Sequence, residues 1–360
     1  KTLSTLNQNF KINFSFKSLK KFKKFQTIAI IGMGGSILSA QAIENFIQKK
    51  INKKIYYFDS LDIEKNEEFK KKENKKKVLF LIISKSGNTI ETVSNLFSLK
   101  ILKKNLNNII IISEKKNNLL YNLSKKLNLF YIEHRDYIGG RYSVLSEVGI
   151  VPAYLMGIDI KKLRKNIHLF YKSKKRNYLQ ESSLKLANLI KARKISNLVF
   201  LNYSPRLDKF LFWAQQLIAE SLGKSGRGFF PVISPAPKDH HSLLQLYLDG
   251  PKDKIFHIFS VDENSKEKIH TKTILSKNYL DQKKLSRIKD AQKNALIKVL
   301  RKKDIPFREF KISSLSEQSL GELFSYFILE TVIIGKLLKV NPFDQPAVEQ
   351  VKILTKKIIK

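Results

Sequence analysis

Glu220 lies in Gln215-Gln216-Leu217-Ile218-Ala219-Glu220-Ser221, near the end of an apolar helical pattern. A carboxylate so placed could serve as a general base. The plainer reading is an interfacial glutamate paired with Lys224, and the residues alone favour it. Arg141 follows two glycines in Gly139-Gly140-Arg141-Tyr142-Ser143, where a tight turn can hold a guanidinium in a pocket. Such a group either steadies a developing oxyanion or makes a surface salt bridge. His241 stands in Pro237-Lys238-Asp239-His240-His241-Ser242. Neighbouring histidines diverge on most backbones, so this pair is a poor metal site, whereas one imidazole titrating near neutrality suits acid/base work. His134, His168, His257 and His270 have no comparable context and read as structural or surface residues. Lys352 follows Asn341-Pro342-Phe343-Asp344-Gln345-Pro346 by about two helical turns. Among so many lysines, composition alone makes it a solvated one. Asp344 suits the cap of the closing helix, and Pro346 its first turn.

Two loops could hold an anion. Ser84-Lys85-Ser86-Gly87-Asn88-Thr89 leaves an apolar run and opens a helix, so hydroxyls and free amides converge at a positive dipole end. Gly87 permits a positive φ or a close backbone approach. A single hydroxyl would suffice for an ordinary N-cap, which is the competing reading. Gly32-Met33-Gly34-Gly35-Ser36 reads equally as an anion cradle and as a tight turn. It is not a dinucleotide fingerprint, because that would need Gly where Ile37 stands, although Asp59 does end the next strand. Gly223-Lys224-Ser225 fails as a nucleotide P-loop, since Ile218 occupies the place of the first glycine.

These residues need a scaffold, and the apolar pattern supplies one. Strand-like runs occur at Thr27–Ile31, Ile55–Phe58, Val78–Ile83, Ile109–Ile112 and Leu129–Ile132, with amphipathic patterns between several of them. Continuous Ile/Val/Leu runs separated by helices argue for a parallel sheet covered on both faces. Lys161–Arg176 reads as a basic surface helix or connector. A second alternation follows: strand Leu198–Leu201, helix Leu207–Leu222, strand Ile255–Val261, helix Leu285–Arg301 and strand Phe307–Ile312. Helices Glu317–Leu338 and Ala347–Ile359 close the chain. The fold class expected is α/β, with two doubly wound domains over residues 1–165 and 166–340 and a closing segment, 341–360. Ligands of such sheets bind beyond the carboxyl ends of the strands.

Composition narrows the function. The chain has 360 residues and no cysteine, which excludes thiolate nucleophiles, disulfides and Cys-ligated metals. The compatible setting is a reducing cytoplasm. Lys1 to Lys24 lack a signal peptide's apolar core, and charged residues interrupt Leu315 to Val340, so neither export nor a membrane span is expected. The chain does not open on Met, which points to residues preceding Lys1. The formal charge of +37 invites a nucleic-acid reading. The excess is lysine spread over every segment without a recognition motif, so it reads as solvated surface, able to attract an anionic substrate.

In this order the segments resemble the phosphoglucose isomerase family, of the shorter bacterial kind, from about Ile28 to Lys352. The most specific elements are Gly139-Gly140-Arg141-Tyr142-Ser143 and Asn341-Pro342-Phe343-Asp344-Gln345 running on to Val348-Glu349 and Lys352. The Ser84–Thr89 loop belongs to the wider sugar-isomerase (SIS) fold. The resemblance implies two SIS-type domains and interconversion of glucose 6-phosphate and fructose 6-phosphate without metal or organic cofactor. It implies Glu220 as the base, Arg141 as the enediolate's partner, and His241, from the neighbouring subunit of a homodimer, as the ring-opening group. Lys352 would assist at the ring oxygen. Gly35, Ser36, Ser84, Lys85, Ser86, Thr89 and Gln345 would bind substrate. Met33, Ser86 and His240 depart from the commoner Ile, Thr and Gln. The alternatives are a bifunctional phosphoglucose/phosphomannose isomerase, which shares the serine loop, and a non-catalytic SIS-type sugar-phosphate sensor.

Overall fold

The computed structural model describes residues 1–172, 174–192, 194–263, 266–271, 274 and 278–359. Among them the strands form two parallel sheets. In the first, β1 (Thr27–Gly32), β2 (Lys54–Phe58), β3 (Val78–Ile83), β4 (Ile109–Ser113) and β5 (Phe130–Glu133) lie in the order β2-β1-β3-β4-β5. In the second, β6 (Asn197–Asn202), β7 (Phe230–Pro235), β8 (Lys254–Val261) and β9 (Phe307–Ile312) lie in the order β7-β6-β8-β9. Each sheet thus winds outward in both directions from its first strand. The sequence anticipates every strand but β7, whose two prolines break the strand pattern. An edge strand tolerates them, because its outer N–H positions bond to no neighbour.

The apolar runs are continuous because both faces of the sheets are covered. In β3, Leu79, Leu81 and Ile83 face one core while Val78, Phe80 and Ile82 face another. The first of these cores is shared between the sheets: it also holds Leu198, Phe200 and Phe259 of the second sheet. Helices Gly35–Ile47, Asp208–Leu222 and Glu317–Leu337 fill it, and the first two pack directly on each other. That contact brings the loop after β1 to the helix carrying Glu220.

The basic stretch resolves into short helices Ile160–Lys165 and Leu169–Lys172, with Leu163 and Ile167 buried beneath. Helix Glu147–Leu155 has no amphipathic period because most of its residues are buried. The closing helix, Glu349–Ile359, has no buried residue at all. No described helix is long and apolar enough to cross a membrane.

Candidate active site

The loops after β1 and β3 emerge side by side, since Gly32 pairs with Ile83 at the carboxyl ends of those strands. This is the point where the first sheet reverses its winding, the usual ligand crevice of such folds. In the β3 loop the Ser84 and Thr89 hydroxyls stand 2.8 Å apart, with Ser86 Oγ 3.5 Å from Thr89 Oγ1. None of the three caps the helix beginning at Ile90 through a side-chain hydrogen bond, so an ordinary N-cap does not account for them. Gly87 has φ +67°, and a Cβ there would overlap the Asn118 side chain. Lys85 donates to Asp136 O at 2.7 Å and lies 3.6 Å from Glu114.

The glycines divide their roles differently from the sequence expectation. Neither Gly139 nor Gly140 adopts a positive φ. The crowding lies on Gly35, where a Cβ would stand 2.2 Å from the Gly140 carbonyl and 2.7 Å from Arg141 N. The bare Gly35 backbone therefore seats the Arg141 turn against the first loop. Ser36 follows it, nearly buried in the first turn of helix Gly35–Ile47. Asp59 is engaged elsewhere, accepting from Gln41 Nε2 at 2.7 Å.

Arg141 is only 3% exposed and is the hub of the site. Its Nη1 donates to Glu220 Oε2 at 3.0 Å and to Gln345 Oε1 at 2.9 Å. Its Nη2 donates to the carbonyls of Pro342 and Asp344 at 2.7 and 2.8 Å, and its Nε to Ser221 Oγ at 2.8 Å. Every donor of the planar fork that bonds here is held by an oxygen, which fixes the charge in place. The other carboxylate oxygen of Glu220 accepts from Gln216 Nε2 at 2.8 Å. Lys224 does not pair with Glu220. Its ammonium reaches Asp344 at 2.9 Å and the Asn341 carbonyl, and that lysine holds the Asp344 carboxyl below its usual pKa. So Asp344 does not cap the closing helix. A cleft of about 640 Å³ opens here, its wall including Glu220, Lys224, Asp344 and Gln345.

The arrangement places a doubly held carboxylate beside a buried, fixed cation on the wall of a cleft. That combination can take a proton from carbon while stabilising the oxyanion formed next to it. Two expected members stand apart. His241 is exposed on the turn after β7, while His240 bonds the buried Tyr203 hydroxyl at 2.7 Å. Lys352 is exposed on the closing helix with Nζ 2.7 Å from Glu349. No hydrogen bond joins either side chain to Arg141 or Glu220. Four further residues to which no sequence motif assigned a role join the site: Ser221, Gln216, Tyr142 and Trp213, whose indole donates to Arg141 O at 3.1 Å. The signal for Ser221 was a lone hydroxyl in an apolar helix. Among the described residues no group of three or more His, Asp or Glu could hold a metal ion.

The family model for phosphoglucose isomerase matches residues 14–360. A probable glucose-6-phosphate isomerase of Methanococcus maripaludis is 35% identical over 360 residues, covering 96% of this chain and 81% of that protein. The glucose-6-phosphate isomerase of Methanocaldococcus jannaschii is 32% identical over 360 residues, covering 96% and 88%. Among solved structures, a hypothetical protein from Thermus thermophilus superposes with a TM-score of 0.83 at 27% identity, over 99% of this chain and 89% of that one.

Proposed function

We propose, from the premise that this chain belongs to the phosphoglucose isomerase family and interconverts glucose 6-phosphate and fructose 6-phosphate, that the chemistry takes place at the Arg141–Glu220 pair. One observation carries the assignment: a single guanidinium nitrogen bonds both Glu220 and Gln345 on the cleft wall. Glu220 removes the C2 proton of the open-chain aldose. The C–H electron pair becomes the C1=C2 bond, and O1 takes the negative charge. Arg141 stabilises that cis-enediolate while the O2 proton passes to O1, and Glu220 then returns its proton to C1 as C2 becomes the carbonyl. The sugar keeps all its electrons, so this acid/base route calls for no nicotinamide and no metal.

Ser84, Ser86 and Thr89 grip the phosphate, with Lys85 beside them, so remote binding energy positions the reacting carbons. Gly35, Ser36 and Gln345 contact the sugar. His241 of the partner subunit and Lys352 open the ring at its oxygen. Exposure of His241 supports its delivery to a second copy in a homodimer, and the unpacked closing helix leaves Lys352 free to swing over the cleft. The domain division at 165 and 340, and a cytoplasmic setting, complete the reading.

A coupled assay with fructose 6-phosphate tests it. Glu220→Gln should lower turnover by about a hundredfold or more while leaving the affinity for a phosphorylated inhibitor nearly unchanged. Turnover near the parent's, in a folded variant, removes Glu220 from the mechanism.

A further inference from the structure

Arg141 sits in a closed ring of hydrogen bonds whose direction can be worked out atom by atom. The Pro342 carbonyl can only accept, so the Tyr142 hydroxyl gives it its one proton, at 2.9 Å. The Tyr142 oxygen is then an acceptor for Ser221, whose Oγ lies 2.9 Å away. Ser221 has thus committed its proton, and its lone pair faces Arg141 Nε at 2.8 Å. Arg141 Nη2 closes the ring on the same Pro342 carbonyl at 2.7 Å. Each hydroxyl donates once and accepts once, and both side chains are buried.

We propose that Ser221 and Tyr142 are positioning residues: they hold the Nε–Nη2 edge of Arg141 from behind, so that Nη1 faces the reacting carbons. The geometry supports a functional ring rather than general packing in two respects. Hydrogen bonds from two ring members converge on Pro342 O, in the segment that brings Gln345 to the site. The Tyr142 ring also packs against Phe343, with centroids 5.4 Å apart, so the hydroxyl can be removed without removing that contact. A guanidinium released from its rear partners keeps its charge but loses its direction, and misplacement of a catalytic group by about 1 Å costs up to a hundredfold.

This inference rests on the enediolate role of Arg141, and the experiment separates the two. Four variants are compared with the parent: Tyr142→Phe, Ser221→Ala, the two combined, and Arg141→Lys, each checked for an unchanged melting profile. Measurements are kcat and KM for fructose 6-phosphate, and the affinity for a phosphorylated enediolate analogue. Tyr142→Phe and Ser221→Ala should each lower kcat by roughly tenfold with KM within about twofold, and weaken the analogue in parallel. Their double variant should lose little more than either alone, because both cut the same ring. Parent-like kcat in folded Tyr142→Phe, or fully multiplicative losses in the double variant, overturns the inference. So does a loss expressed in KM alone. Parent-like kcat in Arg141→Lys would instead overturn the role given to Arg141. Should Ser221→Ala fail to fold, Tyr142→Phe alone decides, since it keeps the aromatic packing.

Discussion

Gly35 has no room for a side chain, because the Gly140 carbonyl occupies the space where a Cβ would project. Gly35→Ala must therefore push the Arg141 turn away from the first loop. Overpacking of this kind costs about 1–3 kcal/mol, so a lower melting temperature and a marked loss of turnover are expected together. His134 offers a test of another kind. It is fully buried beneath the site, with Nε2 3.1 Å from Ile138 O and Nδ1 unpaired, and burial pushes its pKa down to about 4. Between pH 4 and about 6.5 the unfolded histidine binds a proton that the folded one refuses, so stability falls as pH drops through that window. The contribution is on the order of 3 kcal/mol, and His134→Gln should make the acid limb of a urea-unfolding series shallower. The types of the central residues were legible in the sequence, but their partners were not. Lys224 stands four residues after Glu220, just past the helix end, yet its ammonium binds the Asn341–Asp344 turn. Spacing shows which side chains share a helix face; it is silent on a carbonyl contributed from a distant part of the chain.

At the scale of elements, strands were easier to read than helices. An Ile-rich run needs no period when both its faces are covered. A helix lacking an amphipathic stripe, such as Glu147–Leu155, gives no comparable signal. Strand β7 was hidden by its prolines, and it leads straight into the turn that carries His241. The closing segment is the element most open to experiment. Lys224, largely buried, fastens it through Asp344 and Asn341. Lys224→Met removes both bonds while keeping the stem's bulk. The expected outcome is a KM for fructose 6-phosphate raised by about three- to tenfold, because the weakened turn no longer holds Gln345 at the cleft; an unchanged KM would show that the fastening is dispensable.

For the molecule as a whole, the expectation of two similarly wound α/β units matches the sheets, while their common central core was not visible in the strand pattern. The charge of +37 surrounds a site that takes a phosphate dianion. Screening shortens the reach of that field from about 30 Å at 0.01 M salt to about 8 Å at 0.15 M. If encounter limits the reaction, kcat/KM should fall severalfold over this range while kcat holds steady. Mixing inactive Glu220→Gln and His241→Ala subunits tests the proposed sharing of His241, since a mixed dimer should recover part of the activity. The ring around Arg141 also bears on biosynthesis. Its members come from residues 141–142, 221 and 342, so both sheets can be complete while the last acceptor has yet to be made. A chain extruded only as far as Val340 has every described strand of both sheets but lacks the carbonyl that closes the ring. Arg141 gains its full set of hydrogen-bond partners only once the turn from Pro342 to Gln345 has been added.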